Sequence, residues 1–259
     1  MPDAARPVAG DPIAQTFLRP ALKLASIQPG ERVVIIGAGE SDIAIDAAAR
    51  VGPTGEALVI DTDQQALDTL AVRAHEAGIT NLRFVQGEPS RLGGPDAYWD
   101  VVVCHFSLAG LTDPDATLRE ALRVLRPVGR VILAELGERE RCPLITIFID
   151  TVAKHLPAVQ AESARLFRYS PTGKLAQLLA EQGFEDAVPD RSTEWIPFPD
   201  IEAYWETVTT TTDAGRLAVQ LSPEAVAECK TEIERKTRFY RRGGGIELKV
   251  EAVILAAVK

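Results

Sequence analysis

The chain has 259 residues, 46% of them hydrophobic and 25% charged, which is enough apolar material for one elaborated α/β domain or a core domain with a lid. Its formal charge of −9 argues against a nucleic-acid partner, because such binding needs a basic surface to displace counterions. Cys104, Cys142 and Cys229 are odd in number and share no metal-ligand spacing, so a cytoplasmic, reducing environment without disulfides or a metal site is expected.

The opening MPDAARPVAGDP has no basic segment followed by an apolar run, so no signal peptide is expected, and no apolar stretch is long enough to span a bilayer. RVVIIG (32–37) is short, β-branched and bounded by Pro29-Gly30, the pattern of a buried strand. SDIAIDAAARV (41–51) has apolar residues at helical spacing and is stopped by Gly52-Pro53. EALVID (56–61) is a second strand, and 63–78 a helix with Asp63 as N-cap and a terminal glycine. NLRFVQ (81–86) and DVVVCH (100–105) are the third and fourth strands. Residues 113–125 form a helix and RVILAE (130–135) the fifth strand. This alternation predicts parallel pairing through right-handed crossovers, with helices on both faces of the sheet.

Beyond this point the pattern changes. Residues 143–155 and 172–183 read as helices, 184–196 as a strand, and 199–242 as helical with no strand. After Gly243-Gly244-Gly245 the chain closes on a long strand, IELKVEAVILAAVK. The expected organisation is one domain over 1–259, with an N-terminal helical cover at 1–29 and a helical lid insertion at 199–242. The cluster Arg235, Lys236, Arg238, Arg241 and Arg242 reads as a solvated helix face, with an anion or lipid site as the alternative.

Three spots carry candidate binding chemistry. Gly37-Ala38-Gly39 stands between a strand and a helix, where glycines permit a tight turn and close ligand approach to unpaired N–H groups. Asp61 ends the second strand, 22 residues after Gly39, where a carboxylate can accept from ribose hydroxyls. Gly87-Glu88 follows the third strand, and a carboxylate there can reach an adenine amino group. A dinucleotide fingerprint would require a third glycine where Asp42 stands, so the pyrophosphate turn is unsupported.

Residues 30–136 resemble the class I S-adenosylmethionine-dependent methyltransferases, in particular the ubiquinone/menaquinone methyltransferase-like group. PGERVVIIGAGES, ALVIDTDQQAL, NLRFVQGEPSRL and LREALRVLRPVGRVILAE carry the resemblance, together with the closing IELKVEAVILAAVK. The resemblance implies a Rossmann-like seven-stranded sheet in the order 3-2-1-4-5-7-6, with only the last strand antiparallel. It implies S-adenosylmethionine as cofactor, with Gly37, Ala38 and Gly39 bordering its methionine portion. Asp61 would hold the ribose, Thr62 would line the adenine, Gly87 and Glu88 would meet the adenine amino group, and Cys104, His105 and Phe106 would form the opposite wall. Two positions depart from the family pattern. Ile35 replaces a carboxylate and Ser41 replaces a third glycine, while Glu40 offers a substitute charge.

The implied reaction is methyl transfer to a small, apolar or aromatic acceptor. The alternative is a protein of this fold that binds the cofactor without methyl transfer, such as a cyclase-like catalyst or a regulatory partner. His105 and His155 are the candidate bases. Phe17, Ala109, His155, Tyr169, Tyr204 and Trp205 are the candidate acceptor contacts, each aromatic also readable as core packing.

Overall fold

The apolar runs of the first half form the parallel part of one sheet, as seen in a computed structural model that describes residues 12–39 and 42–259. Helix α1 (Pro12–Ala25) leads into β1 (Arg32–Ile36), α2 (Ile43–Val51), β2 (Glu56–Asp61), α3 (Gln64–Glu76) and β3 (Leu82–Gln86). Then follow β4 (Trp99–His105), α4 (Pro114–Val124) and β5 (Leu125–Leu136), all five strands running parallel. The remainder comprises α5 (Pro143–Val152), α6 (Val159–Leu166), α7 (Lys174–Glu181) and β6 (Glu185–Phe198). The excursion α8 (Ile201–Thr211), α9 (Asp213–Arg216) and α10 (Pro223–Thr237) leads to β7 (Arg241–Arg242) and β8 (Gly245–Val258).

The sheet order is β3-β2-β1-β4-β5-β8-β6, with β8 antiparallel to both neighbours, so the seven long strands take the expected Rossmann-like arrangement. An eighth, two-residue strand is a correction to the all-helical reading of 199–242. Arg241 and Arg242 pair with Ile246 and Gly245 across Gly243 and Gly244, whose φ values of 53° and 94° suit a two-residue hairpin turn. Helix α6 is also additional. Only Val159 and Ser163 on it are buried, too few to give a periodic signal.

Side chains alternate across the sheet because the strand period is two. Val33 and Ile35 of β1 and Val101 and Val103 of β4 pack into the core shared with α1, α2, α3 and α5. Val34, Ile36, Val102 and Cys104 pack into the opposite core with α4 and α7. The β6–β8 ribbon outruns the parallel strands. Leu136, the last residue of β5, pairs with Ala252, whereas Phe198 of β6 pairs with Ile246. At about 3.4 Å per residue the ribbon therefore projects roughly 20 Å beyond the carboxyl edge. Helix α8 begins just beyond its end and packs on α5, with Trp205 against Phe148.

Candidate active site

Strand order reverses between β1 and β4, so their following loops diverge and open a crevice at the carboxyl ends. A cleft of about 750 Å³ occupies this crevice, and a chamber of about 270 Å³ continues from it. The two share His105, Phe106, Ser107 and Gly39 as common walls.

The cleft is shaped by the turn after β1. Gly37 has φ +93°, and a Cβ there would lie 2.9 Å from Ser107 Cβ, so a side chain would fill the cradle. Ser107 is itself fixed by donating its hydroxyl to Ile36 O at 2.7 Å. Asp61 ties this turn to β2. Its Oδ2 accepts the Ala38 N–H at 2.6 Å and its Oδ1 accepts the Asp63 N–H at 2.8 Å. A carboxylate has about four acceptor positions, so capacity remains for two more donors. Asp63, not Asp61, caps α3 by accepting the Gln65 N–H. Gly37, Gly39, Asp61, Thr62 and Glu88 all line the cleft. Acceptor carboxylates, a glycine cradle and this volume suit an adenosyl ligand that carries hydroxyls, an amino group and positive charge.

Other expected residues are placed differently. Ala38 is buried and contributes its N–H to Asp61 rather than a side chain to the cleft. Gly87 sits against Ile60 and donates its N–H to Asp61 O, and it does not line the cavity. Cys104 is turned by strand alternation into the α4 core, where burial pushes its thiol up, so the wall is His105, Phe106 and Ser107 instead. Ile35 is fully buried in the same core as Phe17, so the usual carboxylate position has no exposure to the cleft. Glu40 and Ser41 lie outside the described residues, as do residues 1–11 of the expected N-terminal cover.

The far end of the glycine turn is held by residues that sequence reading missed. Asp42 exchanges hydrogen bonds with Gln15 of α1 and pairs with Arg73 of α3, which also lines the cleft. No sequence signal marks them, since they meet only when α1 and α3 converge.

The chamber is mostly apolar where Ile13, Phe106, Ala109, Leu136, Ile145 and Leu166 line it. Much of the rest of its lining is polar: His105, Ser107, Glu135, Arg165, Thr211, Thr212, Asp213 and Arg216. His105 is buried, and burial pushes its imidazole down to about 4, against an opposing hydrogen bond to the Phe17 backbone. Glu135 is 3% exposed, and its Oε1 accepts the N–H groups of Leu108 at 2.8 Å and Ala109 at 3.3 Å. Burial outweighs these amides and the nearby Arg165 and Arg168, pushing its carboxyl up to about 7. Arg165 joins three elements around the chamber. It binds Glu162 within α6, the Ala109 carbonyl and Asp213 of α9. Sequence reading passed over Glu135 because it stands inside an otherwise apolar strand, and over Arg165 because α6 itself was silent.

Of the expected acceptor contacts, Ala109 lines the chamber, and Phe17 backs its wall by stacking on Phe106 at 5.8 Å. The others do not reach it. Tyr204 is fully buried, its hydroxyl donating to Leu144 O at 2.6 Å and its ring against Phe198. Trp205 packs on Phe148 of α5. These aromatics pin the insertion to α5, and the chamber is covered instead by Thr211, Thr212 and Asp213 at the α8–α9 junction. Tyr169 lies in the opposite core. His155 faces Glu228 of α10 at 3.8 Å, outside the cavity. Among the described residues no cluster could hold a metal ion, and no helix is long and apolar enough to cross a membrane.

Residues 14–188 match the model of the ubiE/COQ5 methyltransferase family. The ubiquinone/menaquinone biosynthesis C-methyltransferase UbiE of Ectopseudomonas mendocina is 35% identical over 131 residues, 50% of this chain and 51% of that protein. The chain thus spans about half the length of this and similar curated relatives. The YcgJ protein of Bacillus subtilis has the same fold, with a TM-score of 0.62 and 20% identity over 94% of this chain and 98% of that one. The [4+2]-cyclase SpnF is also similar, with a TM-score of 0.59 and 20% identity over 95% and 81% of the two chains. At such identity these two likenesses concern fold alone.

Proposed function

Because the chain belongs to the ubiE/COQ5 methyltransferase family, we propose that it transfers a methyl group from S-adenosylmethionine to a small, largely apolar acceptor. The observation that carries this reading is the continuity of two unlike spaces. A cleft bearing Asp61, Thr62 and Glu88 opens past His105, Phe106 and Ser107 into a chamber with one apolar side, formed by Ile13, Leu136, Ile145 and Leu166.

S-adenosylmethionine supplies an electrophilic methyl group when bound. Gly37 and Gly39 let the ligand approach the backbone, Asp61 accepts from ribose hydroxyls, and Glu88 accepts from the adenine amino group. The chamber positions the acceptor and excludes water, and positioning by itself provides much of the acceleration in a displacement of this kind. The α8–α9 junction forms its roof, and α1 supplies Ile13 and Ala14 as a side wall. The name of the UbiE relatives makes hydroxylated aromatic rings the first acceptors to try. The likeness to a cyclase is confined to fold, and no feature of the cavity favours a non-methylating role over transfer.

Titration calorimetry with S-adenosylmethionine and S-adenosylhomocysteine is the first test, followed by release of S-adenosylhomocysteine in the presence of phenolic and enolic acceptors. Saturable binding of both, with acceptor-dependent turnover, is expected. Absence of binding by the folded protein would refute the reading. Binding without turnover on any acceptor would favour the non-methylating alternative.

A further inference from the structure

Two glutamates are buried among the described residues, and they are treated oppositely. Glu251 of β8 is 1% exposed and pairs with Arg191 at 2.8 Å and Arg141 at 3.3 Å, the usual way to keep a carboxylate in a protein interior. It lines neither the cleft nor the chamber. Glu135 of β5 is 3% exposed and forms no ion pair with any described residue. Its Oε1 takes both the Leu108 and Ala109 N–H groups, which leaves Oε2 without a hydrogen-bond partner among the described residues. It lines the chamber beside His105 and Phe106. A buried carboxylate without a counter-ion costs stability, and such groups concentrate at functional sites.

We propose that Glu135 is the proton acceptor of the reaction, acting through Oε2 on an acceptor whose nucleophilic oxygen or carbon carries a weakly acidic proton. This rests on the methyl-transfer reading. The bond from the acceptor atom to its proton breaks toward Oε2, giving a neutral carboxyl, and the bonding pair stays on the acceptor atom. That pair forms the new bond to the methyl carbon, whose former bonding pair remains on sulfur. The proton then leaves Glu135 for solvent through the open cleft.

The other titratable groups around the chamber are less suited. His105 stays neutral but is a weak base, being held near 4. Asp213 is committed to Arg165 and Arg216. His155 is outside the cavity. Burial places Glu135 near neutrality, where a general base works best, and Arg165 and Arg168 keep it from rising further. Its amide bonds to the 108–109 turn could also be purely structural, and the choice of variant separates the two roles. In E135Q the side-chain carbonyl still accepts both N–H groups, but the amide nitrogen at the Oε2 position only donates.

The test uses the full chain without cofactor, then with it. Difference infrared spectra of wild type against E135Q, from about pH 5 to pH 9, should show a protonated carboxyl that disappears with a midpoint near pH 7 and is absent from the variant. Dicyclohexylcarbodiimide, an apolar reagent for protonated carboxyls, should label Glu135 at about pH 6, as read by mass spectrometry. Labelling should fade above neutrality. A carboxyl with an ordinary midpoint, or no label at Glu135 in the folded protein, would overturn the proposal, because Oε2 would then be ionised throughout or closed to the chamber. With any acceptor that wild type methylates, E135Q should keep its affinity for S-adenosylhomocysteine and lose about 100-fold or more in kcat. Retained kcat in E135Q sinks Glu135 alone, whereas absence of cofactor binding by wild type sinks the methyl-transfer reading and leaves the infrared and labelling results standing.

Discussion

Asp61→Ala probes both the construction of the cleft and its use. In the folded protein the Asp61 carboxylate receives the Ala38 N–H at 2.6 Å and the Asp63 N–H at 2.8 Å, which ties the glycine turn to the end of β2. Hydrogen bonds to a charged group contribute about 1.5–3 kcal/mol each when buried. Asp61 borders an open cleft, where water can replace the lost acceptor, so the expected cost to folding is smaller, about 1–2 kcal/mol. The ligand loses more, because its ribose hydroxyls enter a site without their partner and the turn they meet is no longer held. A loss of about 1–3 kcal/mol corresponds to a roughly 5- to 150-fold weaker Kd for S-adenosylhomocysteine. Asp61→Asn retains one acceptor oxygen for Ala38 and should fall between wild type and Asp61→Ala. Calorimetric titration of the three proteins, with urea unfolding to separate stability from affinity, measures both effects. An unchanged Kd in a folded Asp61→Ala protein would show that Asp61 serves only the turn, and the assignment of the cleft would fail.

Three further outcomes follow from the geometry. Glu135 ionises near 4.5 in the unfolded chain and near 7 when folded, so its folded-state protonation favours the native protein at low pH and this contribution is lost as pH rises through that window. E135Q should therefore gain stability relative to wild type between about pH 4.5 and pH 7, by up to about 3 kcal/mol above neutrality, and parallel pH–stability curves would contradict this. Gly37→Ala forces a Cβ to 2.9 Å from Ser107 Cβ at φ +93°, which should cost about 1–3 kcal/mol in urea unfolding, with partial recovery when Ser107→Gly is added. Tyr204→Phe removes the bond to Leu144 O and should cost about 1–2 kcal/mol while leaving S-adenosylhomocysteine affinity unchanged, and a weakened Kd would return Tyr204 to the cavity.

Local chemistry made much of the sheet legible in the sequence. The β-branched runs of β1, β2 and β4 are short, apolar on both faces and punctuated by glycine and proline, so strand type and parallel pairing follow from patterns that span only a few residues. The glycine turn, Asp61 and Glu88 were legible for the same reason, since each sits at a strand end whose position in the sheet is set by the crossovers. The chamber was not legible. Its polar groups come from β4, β5, α6 and the α8–α9 junction, and nothing local distinguishes Glu135 from the paired Glu251 until burial and arginine contacts are known. Aromatic size indicated that Tyr204 and Trp205 would be buried, but packing decided that they anchor the insertion on α5 rather than line the cavity. Sequence by itself determined strand type and parallel pairing, because both depend on hydrophobic periodicity and turn chemistry, and its resemblance to the methyltransferase family carried the strand order. Only the tertiary structure decided which side chains line the chamber, because that depends on contacts between residues far apart in the chain, such as Arg165 with Ala109 and Glu135 with Leu108, which no local pattern encodes.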